Sequence, residues 1–204
     1  GLSQWIGRVA AVASGRNDVL VMKGANIAAY GFGDGHPFGP DRHDAFHREL
    51  AERGFGDRVT LASATEATHA ELAAFHTREH IARVETLCLE GTGWLDGGDT
   101  PARRGLDAAA AAVVGASVFA MENVMAGHAR RAFVPIAGLH HAARDRAAGF
   151  CIYNDCGVVL ELLRSRHGLQ RVAYVDIDAH HGDGVFYAFE DDPDIGFADI
   201  HEDG

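Results

Sequence analysis

The chain has 204 residues, enough for one sizeable α/β domain with a real core. Its 47% hydrophobic and 23% charged residues are ordinary for a soluble globular protein, and a formal net charge of −11 argues against the basic surface that direct nucleic-acid binding requires. That charge would instead tolerate or attract cationic substrates such as lysine-rich peptides or polyamines. The three cysteines, Cys88, Cys151 and Cys156, are odd in number and lack zinc-finger spacing, which suits free thiols and a cytoplasmic location. No apolar run reads as approaching a membrane span. Residues 1–21 read as a leader or extension of uncertain status, with Met22 as a native start, and residues 22–204 as one domain; nothing excludes a homo-oligomer.

In chain order, Ile27–Tyr30 reads as a short strand, followed by a Gly-rich loop carrying His36-Pro37. Asp41 is placed to cap a helix that runs to about Leu50 and ends near Gly54. Val59–Leu61 reads as a strand, Ala64–Phe75 as a helix with Thr65 and Glu66 near its start, and His76–Leu89 as a further helix. The loop 91–105 holds Trp94-Leu95-Asp96 and Asp99-Thr100-Pro101, and its length favours a functional loop. Leu106–His128 is expected to be a long Ala-rich helix capped by Asp107, apolar almost all round and therefore buried. Ala132–Ala137 reads as a strand running straight into Gly138-Leu139-His140-His141, Asp155–His167 as a helix ending at Gly168, and Val172–Asp176 and Ile195–Ile200 as two more strands. Alternating strands and helices predict an α/β fold with a largely parallel sheet. His43, His47, His69, His76, His80 and His128 fall on predicted helices, where surface or core positions explain them.

Chemistry concentrates at two strand ends. Val172–Val175 is the apolar run of a buried parallel strand, and it breaks into Asp176, Asp178, His180, His181 and Asp183 with Gly182 and Gly184 between. Side chains two apart on a strand share a face, so Asp176, Asp178 and His180 would project together from the strand's C-terminal end, where open α/β sheets bind ligands. Carboxylate and imidazole together suit a borderline divalent metal such as zinc. The tandem His140-His141 could act as general base and general acid, each needing a carboxylate on its far nitrogen; Asp176 and Asp183 are available for that.

With these residues in place, the chain resembles the histone deacetylase superfamily, which includes bacterial acetylpolyamine amidohydrolases. Four segments carry the likeness: His36-Pro37-Phe38-Gly39-Pro40-Asp41-Arg42, Gly138–Ala142, Gly149-Phe150-Cys151-Ile152-Tyr153-Asn154, and Val175–Val185. The resemblance implies a three-layer arginase/deacetylase-like fold and zinc-dependent hydrolysis of an acetyl-lysine or acetylpolyamine amide. It implies Asp178 and His180 as zinc ligands, and His140 and His141 as the acid/base pair, oriented by Asp176 and Asp183. Gly149 and Phe150 would line the acyl-chain tunnel, and Asp99 would be a rim aspartate contacting substrate. Structural potassium is implied at Asp176, Asp178, His180, Asp199 and Ile200, and at a second site around Phe189, Asp192 and Ile195.

The sequence departs from the pattern in places. Ile136-Ala137 stand where two prolines are common, Leu139 separates the glycine from His140, and Asp199 replaces a serine or threonine. A third ligand aspartate, a transition-state tyrosine and a Gly-rich loop are expected beyond residue 204, so the chain reads as the N-terminal portion of the domain. Rival readings are an inactive acyl-binding pseudo-enzyme and an arginase-like binuclear manganese hydrolase. The latter leaves the Gly-Phe-Cys segment and the tandem histidines unexplained. A nucleotide-binding Rossmann domain lacks its G-x-G-x-x-G fingerprint.

Overall fold

The computed structural model describes residues 18–33, 35–39 and 41–202. Three parallel strands lie in the order β2 (Thr60–Ala62), β1 (Val19–Met22), β3 (Arg131–Phe133), and β4 (Val172–Asp176) pairs in parallel with β5 (Ile195–Asp199). Among the described residues no ladder joins the two sheets. The middle strand β1 is sealed on both faces, with Leu20 and Met22 fully buried on one and Val21 3% exposed on the other, the environment that selects continuous apolar runs in parallel sheets.

That strand corrects the expectation at Ile27–Tyr30. Residues 25–28 form one helical turn, α1 (Ala25–Ala28), and the strand is the preceding apolar run. Four apolar residues in a row fit a strand or a buried helical turn equally well. The sheet thus takes in Val19–Val21, the end of the segment read as preceding the domain; residues 1–17 lie outside the described ones. Asp41 stands at the start of α2 (Arg42–Glu52) but makes no side-chain cap bond. His43 and His47 form its buried face.

The expected helix over 64–75 shrinks to α3 (His69–Leu72), because the chain before it runs extended along another helix, with Ala67 N–H donating to the Ala111 carbonyl at 2.8 Å. Its start is a capping box of Thr68 and Glu71, not Thr65 and Glu66. Helix α4 (Arg78–Glu90) starts at Thr77, whose hydroxyl accepts the His80 N–H.

Helix α5 (Leu106–Met125) is the hub of the core: Ala110, Ala112, Val113 and Val114 are fully buried. It is long and apolar enough to cross a membrane, which corrects the reading that no such run exists; here 72% of its most apolar 18-residue stretch is buried inside the fold, and that surrounding core accounts for its apolar composition. Its N-cap is Gly105 rather than Asp107, and it stops at Met125, leaving His128 beyond its end. Strand β3 is only three residues long, ending before Pro135, which has no N–H to give a ladder. Helix α6 (Asp155–His167) has the expected bounds, with Asn154 accepting the Gly157 N–H at 2.9 Å. A helix absent from the sequence reading, α7 (Asp183–Phe189), follows β4, and β5 stops at Asp199, one residue early. The expected full burial of β4 is not seen: Val175 is 66% exposed, so the face it shares with Ala173 is open among the described residues.

Candidate active site

The site is assembled where β3 and β4 end. After β3 the chain turns through Ile136, whose φ of 77° is unusual for a β-branched residue, and delivers His140 and His141 with ring centroids 4.3 Å apart. After β4, Asp176 presents Oδ2 to His140 Nδ1 at 2.7 Å, both side chains being 7% exposed. Asp183, at the first turn of α7, presents Oδ1 to His141 Nδ1 at 2.7 Å in a more open setting, with the histidine 21% exposed. An ionised carboxylate only accepts, so each histidine carries its proton on Nδ1 and its basic lone pair on Nε2.

Asp176 holds its place through several bonds. Burial works against its ionised form, yet the bonds from His140, the Asp178 N–H and the Tyr174 hydroxyl keep its carboxyl below the usual carboxylate range. Gly182 packs directly on this pair: a Cβ there would lie 2.5 Å from Asp176 Oδ2 and 2.8 Å from His140 Nδ1. Gly149 is confined in the same way by the His141 ring, whose Cδ2 would be 2.7 Å from an added Cβ.

Asp178 and His180 follow β4 on a loop rather than on the strand itself, so strand alternation fixes only Asp176 and the loop sets the direction of the other two. Both are open, their side chains 53% and 78% exposed. Asp178 Oδ1 and His180 Nδ1 nonetheless converge to 3.1 Å. Two donors about 2.0–2.1 Å from one tetrahedral zinc would be roughly 3.3 Å apart, so the pair fits one edge of such a site. The His180 N–H bond to the Asp178 carboxylate is the main cause of that group's lowered pKa. The His141 and His180 rings lie 6.1 Å apart, which brings the two halves of the site together.

The wall is aromatic. Phe150 sits at φ 69°, its ring 4.5 Å from His36 and 6.1 Å from Phe32 by centroid. Asp99 is exposed at the tip of the 91–105 loop, where its carbonyl is 3.4 Å from His36 Nε2. Of the residues expected at potassium sites, the carbonyl of Asp176 accepts the Ile200 N–H and that of Asp178 meets His201 Nδ1. Asp192 is paired with Arg164, and its carbonyl accepts the Ile195 N–H, while its own N–H donates to the Phe189 carbonyl. Asp199 turns to His201 Nε2 at 3.2 Å, and His181, Asp199 and His201 bring ligand atoms within 4.8 Å of one another.

Sequence reasoning missed the residues beneath the histidines. Asn154 donates to the carbonyls of Ala142 (2.8 Å) and His140 (3.3 Å) while capping α6. The buried Asp155 accepts from Gly138 N–H, Leu139 N–H and the Ser117 hydroxyl, and burial raises its pKa. The available signal was an Asn-Asp pair opening a helix directly after Phe150–Tyr153, a position that normally serves capping alone.

Parallel strands packed with helices, with polar side chains gathered at the strand ends, define an α/β protein whose site lies where such folds bind ligands. Residues 36–204 match the histone deacetylase domain, and the chain belongs to that family. It is 35% identical to the acetoin utilization protein AcuC of Bacillus subtilis, over 92% of this chain and 50% of that protein. Histone deacetylase 8 of Xenopus tropicalis is 38% identical over 74% of this chain and 42% of its own length. The histone deacetylase-like amidohydrolase of Pseudomonas aeruginosa is 32% identical, over 83% of this chain and 45% of the relative. Among solved structures, the HDA15 HD domain superposes with a TM-score of 0.82 at 28% identity, covering 91% of this chain and 54% of that one. The chain spans about half the length of the curated relatives it matches.

Proposed function

We propose that the protein hydrolyses an acetylated amine, of the acetyl-lysine or acetylpolyamine type, using zinc held by Asp178, His180 and a further ligand. The observation that carries this reading is the pair of His–carboxylate contacts, His140–Asp176 and His141–Asp183, both at 2.7 Å, facing the convergent donors of Asp178 and His180. When bound, zinc would lower the pKa of water and polarise the amide carbonyl. His141, the more open of the two, takes the proton of the attacking water on Nε2 and returns it to the leaving amine. His140, sealed against Asp176, stays as a fixed proton-bearing partner that stabilises charge beside it. Phe150, Phe32 and His36 wall the acyl chain, and Asp99 meets the substrate at the rim.

Potassium belongs to the same proposal, at the carbonyls of Asp176, Asp178 and His180 with Asp199 and Ile200, and around Phe189, Asp192 and Ile195, since oxygen donors suit a hard cation. A cytosolic location is proposed from the three free cysteines.

The test is acetate release by the full-length protein from an acetyl-lysine peptide and from an acetylated polyamine, with Gly182→Ala alongside. The added methyl must displace the His140–Asp176 pair, so kcat should fall by about 100-fold, the value of one positioned acid/base group. No acetate release from either substrate would refute the proposal, and an unchanged kcat in Gly182→Ala would remove the His140–Asp176 pair from it.

A further inference from the structure

The loop between α4 and α5 is not a free surface loop. Its base is closed by backbone bonds, Leu95 N–H to the Thr100 carbonyl at 2.8 Å and Ala102 N–H to the Gly93 carbonyl at 2.9 Å, and Trp94 and Pro101 form an antiparallel bridge. Its tip is gathered by one side chain. Asp96 Oδ1 accepts the N–H groups of Gly98, Asp99 and Thr100, each at 2.9 Å, and its Oδ2 accepts the Thr100 hydroxyl. A single carboxylate thereby fixes the backbone on both sides of the exposed Asp99.

Thr100 carries the order inward. It is completely buried, and while its hydroxyl donates to Asp96 it accepts the Phe150 N–H at 3.1 Å. The Phe150 carbonyl in turn accepts the Tyr30 hydroxyl at 2.5 Å, and that same hydroxyl accepts the Ile152 N–H. Phe150 needs such anchoring, because its left-handed backbone conformation disfavours a bulky side chain. A third strand of contact crosses the rim: Phe38 N–H donates to His36 Nδ1, leaving Nε2–H directed at the Asp99 carbonyl, and the His36 ring packs edge-on against Phe150.

We propose that Asp96 and Thr100 are positioning residues that tie the exposed loop bearing Asp99 to the backbone of Phe150, so that rim and wall of the acyl-chain channel hold one geometry. Neither touches substrate. The inference rests on the deacetylase reading above for its kinetic arm. Because its hydrogen bonds end on the Phe150 backbone and on Asp99, and none of them on His140 or His141, its loss weakens binding of an extended acetyl-lysine peptide while leaving the proton-transfer apparatus in place.

The test compares Thr100→Val, which keeps shape but removes the hydroxyl, with Thr100→Ser, which restores it, and with Asp96→Asn, all in the full-length protein. Thr100→Val loses both hydroxyl bonds, of which only the one from the Phe150 N–H joins loop to wall, and should raise KM for an acetyl-lysine peptide about tenfold with kcat within about twofold, the scale of that one buried bond. Thr100→Ser should stay near wild type, and Asp96→Asn should fall between. Amide hydrogen exchange, which needs no turnover, should quicken at Gly98–Thr100 and at Phe150 in Thr100→Val and not in Thr100→Ser. Unchanged KM and exchange in Thr100→Val, or equal damage from Thr100→Ser, would overturn the proposal. A wild-type protein that turns over no acyl amide would instead sink the functional reading, with the exchange data still deciding whether the two residues couple rim to wall.

Discussion

Replacing His141 by alanine in the full-length protein is expected to lower kcat by about 1,000-fold with KM nearly unchanged, within the range for a general base–acid acting in the transition state. The choice of His141 over its neighbour is geometric. His140 and Asp176 are each 7% exposed, whereas His141 retains 21% exposure, and its ring stands 6.1 Å from that of His180. With Nδ1–H committed to Asp183 at 2.7 Å, its basic nitrogen is Nε2. Asp183→Asn would leave the shape intact while allowing the imidazole to adopt the other tautomer, and kcat should fall by about 100-fold, again without a matching change in KM. Steady-state kinetics on one acetyl-lysine peptide decide the matter. A His141→Ala enzyme within tenfold of wild type would move the proton transfer elsewhere.

The second large effect concerns stability in acid. His76 is 3% exposed; it accepts the Asn154 N–H on Nε2 at 2.8 Å and places Nδ1 3.3 Å from the Arg144 carbonyl. Burial, reinforced by nearby His80, pushes its pKa down to about 3. Burial lowers His80 and His47 as well. The folded protein therefore binds fewer protons on these rings than the unfolded chain once pH drops below about 6.5, so their contribution is complete above that value and is lost as pH falls toward the depressed folded values. For His76 alone the loss between pH 7 and pH 5 is about 2 kcal/mol. Urea denaturation of the full-length protein at pH 7, 6 and 5 should show it, and His76→Gln should flatten the slope even though the variant starts less stable. A wild-type stability independent of pH over that interval would contradict the assignment. Carboxylates such as Glu71, whose bonds from Thr68 and Arg166 outweigh burial and lower its pKa, act at more acid pH and do not mimic this signature.

Helix α6 and the Ala-rich α5 were legible because each announces itself over many residues: a long apolar run, or a helical stretch closed by a glycine. Among the short elements, β4 was legible in full and β2 and β5 to within a residue, whereas β1, α1 and α7 were not. Ile27–Tyr30 and Val19–Met22 are similar apolar runs, and only tertiary pairing makes one a helical turn and the other the central strand. The 64–75 stretch has helix-forming composition, but α5 captures its first residues in extended form, which no local pattern reports. At the site, the pairing of each histidine with its aspartate joins residues 36 and 42 positions apart. Strand-end reasoning made Asp176 and Asp183 available for that role, and the resemblance supplied which partner goes with which histidine. Strand alternation could not extend to Asp178 and His180, since β4 ends at Asp176. The supports formed by Asn154, Asp155, Asp96 and Thr100 were hidden because their residue types are ordinary for caps and turns, and only the folded geometry shows which backbone groups they hold.

The proposed zinc site built on Asp178 and His180 is tested by the metal content of the full-length protein and of its Asp178→Ala variant, measured by elemental analysis beside a thermal melt that confirms folding. The wild type should carry about one zinc per chain and the folded variant a small fraction of that. Zinc absent from the wild type, or bound undiminished by Asp178→Ala, would contradict it.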